Sequence, residues 1–443
     1  MIINSSNRQL AAKNYLLVCF IFYSDFVFSD APKPLPEPLS LEYALGLSKN
    51  INEDLAFRIA EKNEILLDKS LADAQDGFNL SVEGRATRVE RRNSFFSYIV
   101  DEQKLALRLT KSIYDFGNHK HTVNASDKLL DSNSLLYLNE IYSRQIKIMA
   151  AYFDILLADL RFHRNNENMA IAFISWDNSR KELELGKNSD LEVEKNHSEY
   201  QRVRRERFES ENNQRQTRNR LANLMNSSGQ LPASLATPSV SSRLKKYPEI
   251  EKLTKKAFEN NLELRALRKK IESVQSSVRA LQSKMKPQIN FESEAIAYAN
   301  ELSRNSFSRE NWNVGVVVGM PIYDSGEMDS QVAKVRVEIY RLETLIAQKK
   351  MNIQHELLSL KLKLDTLRFE RDEADAFNEY SELFLDEKRA LYELEVKSTL
   401  GTAMVQISDA QYGVAKSLYE TLLTWAKIDL LVGDEPAEKL FKN

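Results

Sequence analysis

The sequence predicts a mainly α protein with a small β part, built as two tandem repeats of long antiparallel coiled-coil helices that carry four β-strands. Three observations predict this. First, Leu105-Ala106-Leu107-Arg108-Leu109-Thr110 alternates apolar and polar residues, ends in the turn Tyr114-Asp115-Phe116-Gly117, and gives way to a helical pattern with almost no breaker before Gly186. Second, the plan returns about half a chain later, where Val314 to Ile322 runs into Tyr323-Asp324-Ser325-Gly326 and a further helical run to Gly401. Third, among 443 residues only 12 are Gly and 10 are Pro, whereas 28% are charged and the net charge is −2. Few breakers with abundant mixed charge indicate long solvent-facing helices. The near-neutral balance offers no field for a dedicated nucleic-acid binder.

The chain opens with Arg8 and Lys13 before Tyr15-Leu16-Leu17-Val18-Cys19-Phe20-Ile21-Phe22-Tyr23, a basic flank and an apolar run of secretory-signal length. Residues 1–29 are read as a signal peptide cleaved near Ser29; an uncleaved anchor would need about 20 apolar residues. Cys19 is the only cysteine, so the mature chain has no thiol for a disulfide or a Cys-based metal site. Lipidation at Cys19 is disfavoured by the bulky Val18 before it. Residues 30–38, with Pro32, Pro34, Pro36 and Pro38, form an extended leader.

The first repeat spans 39–226. Leu41, Ala44, Leu45, Ile51, Leu55, Ile59, Leu66 and Leu67 give a helical period up to about Gln75, and Gly77 stops it. A β-hairpin over about 78–113 follows. In the rod after Gly117, Leu135, Tyr142, Met149 and Leu156 recur every heptad, as do Ile141, Ile148 and Ile155, a coiled-coil stripe. Leu185-Gly186-Lys187-Asn188-Ser189 reads as a helix stop and restart, with Asn188 or Ser189 as cap. A strongly polar helix returns to about Asn226, and 227–248 is a Ser/Pro-rich linker.

The second repeat, 249–432, has a helix from Glu249 to Lys286 ended by Pro287, a hairpin over about 289–322, and a rod in which Ile339, Ile346, Ile353, Leu360 and Leu367 keep heptad spacing. Its tip is placed near Gly401, with the return from Thr402 to about Val432 and a tail at 433–443. In each repeat the long rod is expected to lie against two shorter helices stacked end to end.

Catalytic chemistry finds no support. His119 and His121 point in different directions on a helix, and His163, His197 and His355 stand alone. Asp115 and Asp324, each two residues before a Gly, read as turn-formers at the strand–helix junctions together with Tyr114, Gly117, Tyr323 and Gly326. The arginines between Arg202 and Arg220 alternate with Glu206, Glu209 and Glu211, the pattern of a solvated helix face. No phosphate-cradling loop, nucleophile elbow or metal motif is present, so no catalytic, cofactor-binding or metal-ligating residue is assigned and no reaction is expected.

Four strands leave two open edges, whereas a closed barrel needs about eight or more. Two copies would supply eight and three would supply twelve. The strand faces suit a barrel wall: Trp312, Val314, Val316, Val318, Met320 and Ile322 lie on one side, Asn313, Gly315, Val317 and Gly319 on the other. An apolar outer face over a polar or small inner one describes a water-filled pore.

The order helix, hairpin, Tyr-Asp-x-Gly, long helix, Gly tip and return helix, given twice, resembles the TolC-type outer-membrane efflux protein family over about residues 40–432. The pieces are Asn260-Asn261-Leu262-Glu263-Leu264-Arg265-Ala266, Lys286-Pro287-Gln288-Ile289, Pro321-Ile322-Tyr323-Asp324-Ser325-Gly326, Ala150-Ala151-Tyr152-Phe153-Asp154-Ile155-Leu156 and Ser408-Asp409-Ala410-Gln411. The resemblance implies a homotrimer in the outer membrane of a Gram-negative bacterium, a twelve-stranded barrel above a periplasmic tunnel of helices. It implies an exit duct of a tripartite efflux or type I secretion system, with a periplasmic adaptor and an inner-membrane transporter as partners. The adaptor would meet Leu185, Gly186, Asn188, Ser189 and Leu191 at one tip and Leu400, Gly401, Thr402, Ala403 and Met404 at the other. Asp409 would line the periplasmic aperture, with Glu192 beyond the first tip. Gln406 stands where the family's second acidic position would be. The alternative is an exported periplasmic coiled-coil scaffold or tether without a pore.

Overall fold

The computed structural model describes residues 35–92, 97–227, 229–230, 232–238, 249–300, 311–394 and 400–436. The signal segment, residues 30–34 of the leader, most of the linker and residues 437–443 of the tail lie outside them.

Helix α1 (Leu41–Gly46) starts at Ser40, whose Oγ accepts the Tyr43 N–H at 3.2 Å. A 3-10 turn (Leu47–Lys49) leads to α2 (Glu53–Asp76), which Asn52 caps by accepting the Leu55 N–H at 3.1 Å. The continuous helix expected from Leu39 to Gln75 is thus broken, because the Ser40 and Asn52 side chains offer the backbone acceptors that start a new helix. The second repeat is broken likewise, into α5 (Ile250–Asn260) and α6 (Leu262–Ser283). Buried Asn261 caps α6 through the Leu264 N–H at 3.1 Å and donates its amide to the Leu431 carbonyl at 3.0 Å.

Strands β1 (Asn79–Arg92), β2 (Ser97–Tyr114), β3 (Gln288–Asn300) and β4 (Asn311–Gly319) form one antiparallel sheet in the order β1-β2-β3-β4. The two hairpins, far apart in sequence, join through β2 and β3, with a bulge between Ser112 and Tyr114. Strand β4 stops at Gly319, before the expected Ile322, since Pro321 has no N–H for the ladder.

The rods α3 (Asn118–Glu184) and α7 (Glu327–Glu393) have 67 residues each, on the order of 100 Å at 1.5 Å per residue. They return as α4 (Asp190–Leu224) and α8 (Leu400–Val432). Rod α3 packs against α2 and α4 on one side and against α6 and α8 on the other, and α7 packs against α6 and α8. The helices therefore form four columns side by side: α2 with α4, then α3, then α6 with α8, then α7. Gly401, beside which the second tip is expected, is the second residue of α8.

The main core is a belt about the middle of the rods. Ile146, Ile148, Met149, Tyr152, Phe153 and Ile155 of α3 share one buried cluster with Leu422, Ala426 and Ile428 of α8, Ile353, Leu357 and Leu364 of α7, and Leu221 of α4. Within it Phe153 stacks on Tyr419 at 4.5 Å. The heptad positions Ile353, Leu360 and Leu367 are buried. The two outer columns keep apolar faces uncovered, with Phe57, Leu67 and Leu71 exposed on α2 and Val337, Tyr340, Phe369, Tyr380 and Leu383 on α7.

Candidate functional site

The sheet register sorts its side chains into two faces. Val82, Leu107, Ala295 and Trp312 pair across all four strands, as do Leu80, Leu109, Ser293 and Val314. Their side is apolar and open, Trp312 being 78% exposed. On the opposite side Ser81, Arg108, Glu294 and Asn313 pair. There Glu294 holds Arg108 at 3.1 Å and Lys104 at 3.6 Å. On the apolar side an ion pair between Arg88 and Asp101, at 2.9 Å, marks where the apolar rows end. Phe78, Tyr114 and Tyr323 are exposed where the strands meet the helices.

The repeated turns are built alike. Asp115 accepts the Gly117 N–H at 2.9 Å and the His119 N–H at 2.5 Å; Asp324 accepts the Gly326 N–H at 3.0 Å and the Met328 N–H at 2.9 Å. Phe116 and Gly117, like Ser325 and Gly326, take left-handed backbone, which Gly adopts without the Cβ penalty. Each carboxylate therefore sits on the open N–H groups of a 67-residue helix, where the macrodipole favours negative charge.

At the first tip, α3 ends in two reverse hydrogen bonds, Gly186 N–H to Leu183 O at 2.9 Å and Lys187 N–H to Glu182 O at 2.8 Å. This is a Schellman stop, with Gly186 at φ +67°. Ser189, not Asn188, caps α4, accepting the Glu192 N–H at 3.3 Å. Leu185 and Leu191 stand 70% and 80% exposed on this turn. At the second tip Gly401 serves a close helix approach. A Cβ there would lie 2.8 Å from Ile171 Cγ1 of α3. Ala403 is buried, Leu400 is partly covered, and Thr402 and Met404 are exposed.

Asp409, Gln406 and Glu192, the positions expected at an aperture, each have a partner within the chain. Asp409 meets Arg164 of α3 at 2.8 Å, the guanidinium Nε approaching off its N–H axis. Gln406 donates to Ser381 Oγ of α7 at 3.2 Å. Glu192 pairs with Lys195 on α4 at 3.1 Å, in a different column. The Arg164 pairing, across some 245 positions of sequence, had no local signal that could reveal it. Neither had Arg144, buried at 3% exposure. It donates to the Leu224 carbonyl at 2.8 Å, the Ser48 carbonyl at 3.2 Å and the Asn50 carbonyl, tying the end of α4 and the 3-10 turn to the rod.

Several other ionisable groups pair within and between the helices. His119 lies 3.4 Å from Asp73, while His121 faces Gly117. The α4 arginines are interleaved with acids, Arg205 with Glu209 at 2.5 Å and Arg207 with Glu211 at 2.7 Å. Arg218 and Arg220 reach α3, at Asp159 (2.9 Å) and Asp154 (3.2 Å). Burial raises the Asp154 carboxyl despite Arg220. It also pushes the Tyr152 phenol up to about 12, its O–H shared between the Leu39 and Ala236 carbonyls. Among the described residues no group of His, Cys, Asp and Glu is arranged to hold a metal, and no helix is long and apolar enough to cross a membrane.

No protein-family model matches the sequence, and no curated protein does. Solved structures do match. The chain is similar to CusC, a protein described as undergoing transmembrane channel formation, at TM-score 0.69 and 16% identity over 89% of this chain and 92% of that one. It is similar to the outer membrane protein VceC of Vibrio cholerae at TM-score 0.66 and 15% identity, over 89% and 96%. It is also similar to the Campylobacter jejuni CmeC outer membrane channel at TM-score 0.69 and 14% identity, over 90% and 87%. The TolC-type fold expected from the sequence is the fold this chain has.

Proposed function

We propose that three copies of this chain close into a passive exit duct of the outer membrane, serving a tripartite efflux or type I secretion system. The sheet carries this reading. Four strands whose β1 and β4 edges are free among the described residues would make one third of a twelve-stranded wall, neighbouring copies pairing β4 with β1. At about 3.4 Å per residue and a 45° tilt, the rise from Ile113 to the Arg88–Asp101 row is roughly 25–30 Å, the height of an outer-membrane apolar band. Phe78, Tyr114 and Tyr323 fit the aromatic girdle at its lower boundary. The polar face with Arg108, Glu294 and Asn313 would then line a wet lumen. The uncovered apolar faces of α2 and α7 would meet between copies, closing the columns into a tunnel.

Nothing in this arrangement asks for catalysis, and transport would be passive. The exposed Leu185 and Leu191, with Thr402 and Met404, supply small apolar contacts for a periplasmic adaptor that bridges to an inner-membrane transporter. Asp409 would stand near the lower opening, held by Arg164. Conductance tests the duct: purified oligomer added to planar bilayers should open steps of constant size. A folded oligomer of the right mass that never conducts would overturn the reading in favour of a pore-less tether.

A further inference from the structure

Just beneath the apolar side of the sheet lies a hollow that the duct itself does not use. Its walls are the start of α3 (Phe116, His121), the end of α6 (Arg279, Met285, Lys286) and the start of α7 (Met328, Val332, Arg336). Two contacts fix the side on which it opens. Phe116 packs edge-on to Tyr114 at 4.8 Å, and Tyr114 pairs through Ile289 with Val318, a residue of the apolar face. The polar side has its own separate pocket, lined by Ser112, Asp115, His119 and Asn290.

Arg279 and Lys286 line this hollow from the end of α6 and the turn after it, and Arg336 from α7; among the described residues none of them has a carboxylate partner. Asp329 is the only acid in the lining. By contrast Lys69 is matched by Asp127 at 2.7 Å and Lys269 by Glu272 at 2.9 Å. A cluster of like charge left unneutralised on a helix-rich surface repels itself and attracts an anion. Guanidinium forks and an ammonium suit phosphate oxygens. The apolar floor of Met285, Met328 and Val332, and the exposed Met320 and Ile322 above, suit an acyl chain.

We propose that this hollow binds the phosphate headgroup of a phospholipid in the leaflet facing the helices, its tails rising along the apolar band. The proposal rests on the duct reading. The full-length oligomer, in neutral detergent, is titrated with phosphatidylglycerol and the bound lipid counted by native mass spectrometry. Loss of one cation should weaken binding about fivefold and loss of all three about a hundredfold, taking the usual contribution of a basic residue at an anionic surface. The variants are Arg336→Gln alone, Arg279→Gln/Lys286→Gln/Arg336→Gln together, and the charge-preserving Arg279→Lys/Lys286→Arg/Arg336→Lys as a folding control that should bind as wild type. Diacylglycerol should not bind, and inorganic phosphate at equal concentration should compete poorly. Undiminished lipid retention by the triple Gln variant would overturn the site, and competition by phosphate as strong as the lipid would overturn the lipid assignment in favour of a small-anion site. Conductance is read on the same preparation: a conducting oligomer without lipid preference defeats this proposal alone, and a non-conducting one defeats the duct.

Discussion

Substituting Gly401 by Ala places a methyl where α8 crosses the first rod. The new carbon would stand 2.8 Å from Ile171 Cγ1 and 3.0 Å from Ile171 Cδ1, against an optimum of about 3.5–4.0 Å for carbon pairs. Overpacking of this kind costs about 1–3 kcal/mol, while replacing a helical Gly by Ala returns about 1 kcal/mol of helix propensity. The net expectation is a loss of about 0–2 kcal/mol, toward the low end because partly exposed Ile171 has room to turn. In an Ile171→Ala background the obstruction is gone and only the propensity gain remains, so Gly401→Ala should then stabilise by about 1 kcal/mol. The sign of the substitution should therefore reverse between backgrounds, a coupling of about 1–3 kcal/mol. Amide hydrogen exchange over the first turns of α8 reads this locally, without requiring two-state unfolding of an oligomer. A destabilisation of the same sign and size in both backgrounds would refute the close-approach reading and return Gly401 to the role of a turn glycine.

Three further outcomes are expected. Val316→Arg, on the apolar side, should cost about 2–4 kcal/mol of barrel stability in liposome folding titrations, and Val317→Arg, on the polar side, should cost far less; equal costs would invert or abolish the face assignment. Asp324→Ala strips the acceptor from two helix N–H groups and should cost about 1 kcal/mol, seen as faster exchange in the first turn of α7, with Asp324→Asn milder. Burial raises the folded Asp154 carboxyl above its unfolded value. Ionisation there costs stability above the folded pKa, and the cost disappears as pH falls through it. Asp154→Asn should therefore melt higher than wild type at neutral pH and converge with it in acid; a lower melt at neutral pH would show that the Arg220 pair outweighs burial.

The periodic parts of the structure were legible from the chain alone. Heptads at Ile353, Leu360 and Leu367 report directly which helix face is covered, and alternation from Leu105 to Leu109 sorts the two faces of the sheet. The Tyr-Asp-x-Gly turns were legible because the Asp cap and the left-handed Gly act within five residues. What escaped was set by contacts across the sequence. Asn261 breaks a helix while reaching the Leu431 carbonyl, and nothing local distinguishes it from a solvated Asn. Gly401 reads as a helix-ending glycine, and only its closeness to Ile171 shows that a side chain there would crowd the first rod. An aperture role for Asp409 and Gln406 is implied only by likeness to a family, and their contacts with Arg164 and Ser381 depend on how columns abut.

The order β1-β2-β3-β4, with both margins unpaired among the described residues, has a genetic consequence. The proposed three-copy ring, sealed only where the last strand of each subunit meets the first strand of the next, would fail if any one subunit carried a damaged margin. With equal expression of sound and damaged alleles, about one ring in eight would be wholly sound under random mixing of three. Lesions in these two strands should therefore behave as dominant, whereas an allele that merely fails to be made should be recessive.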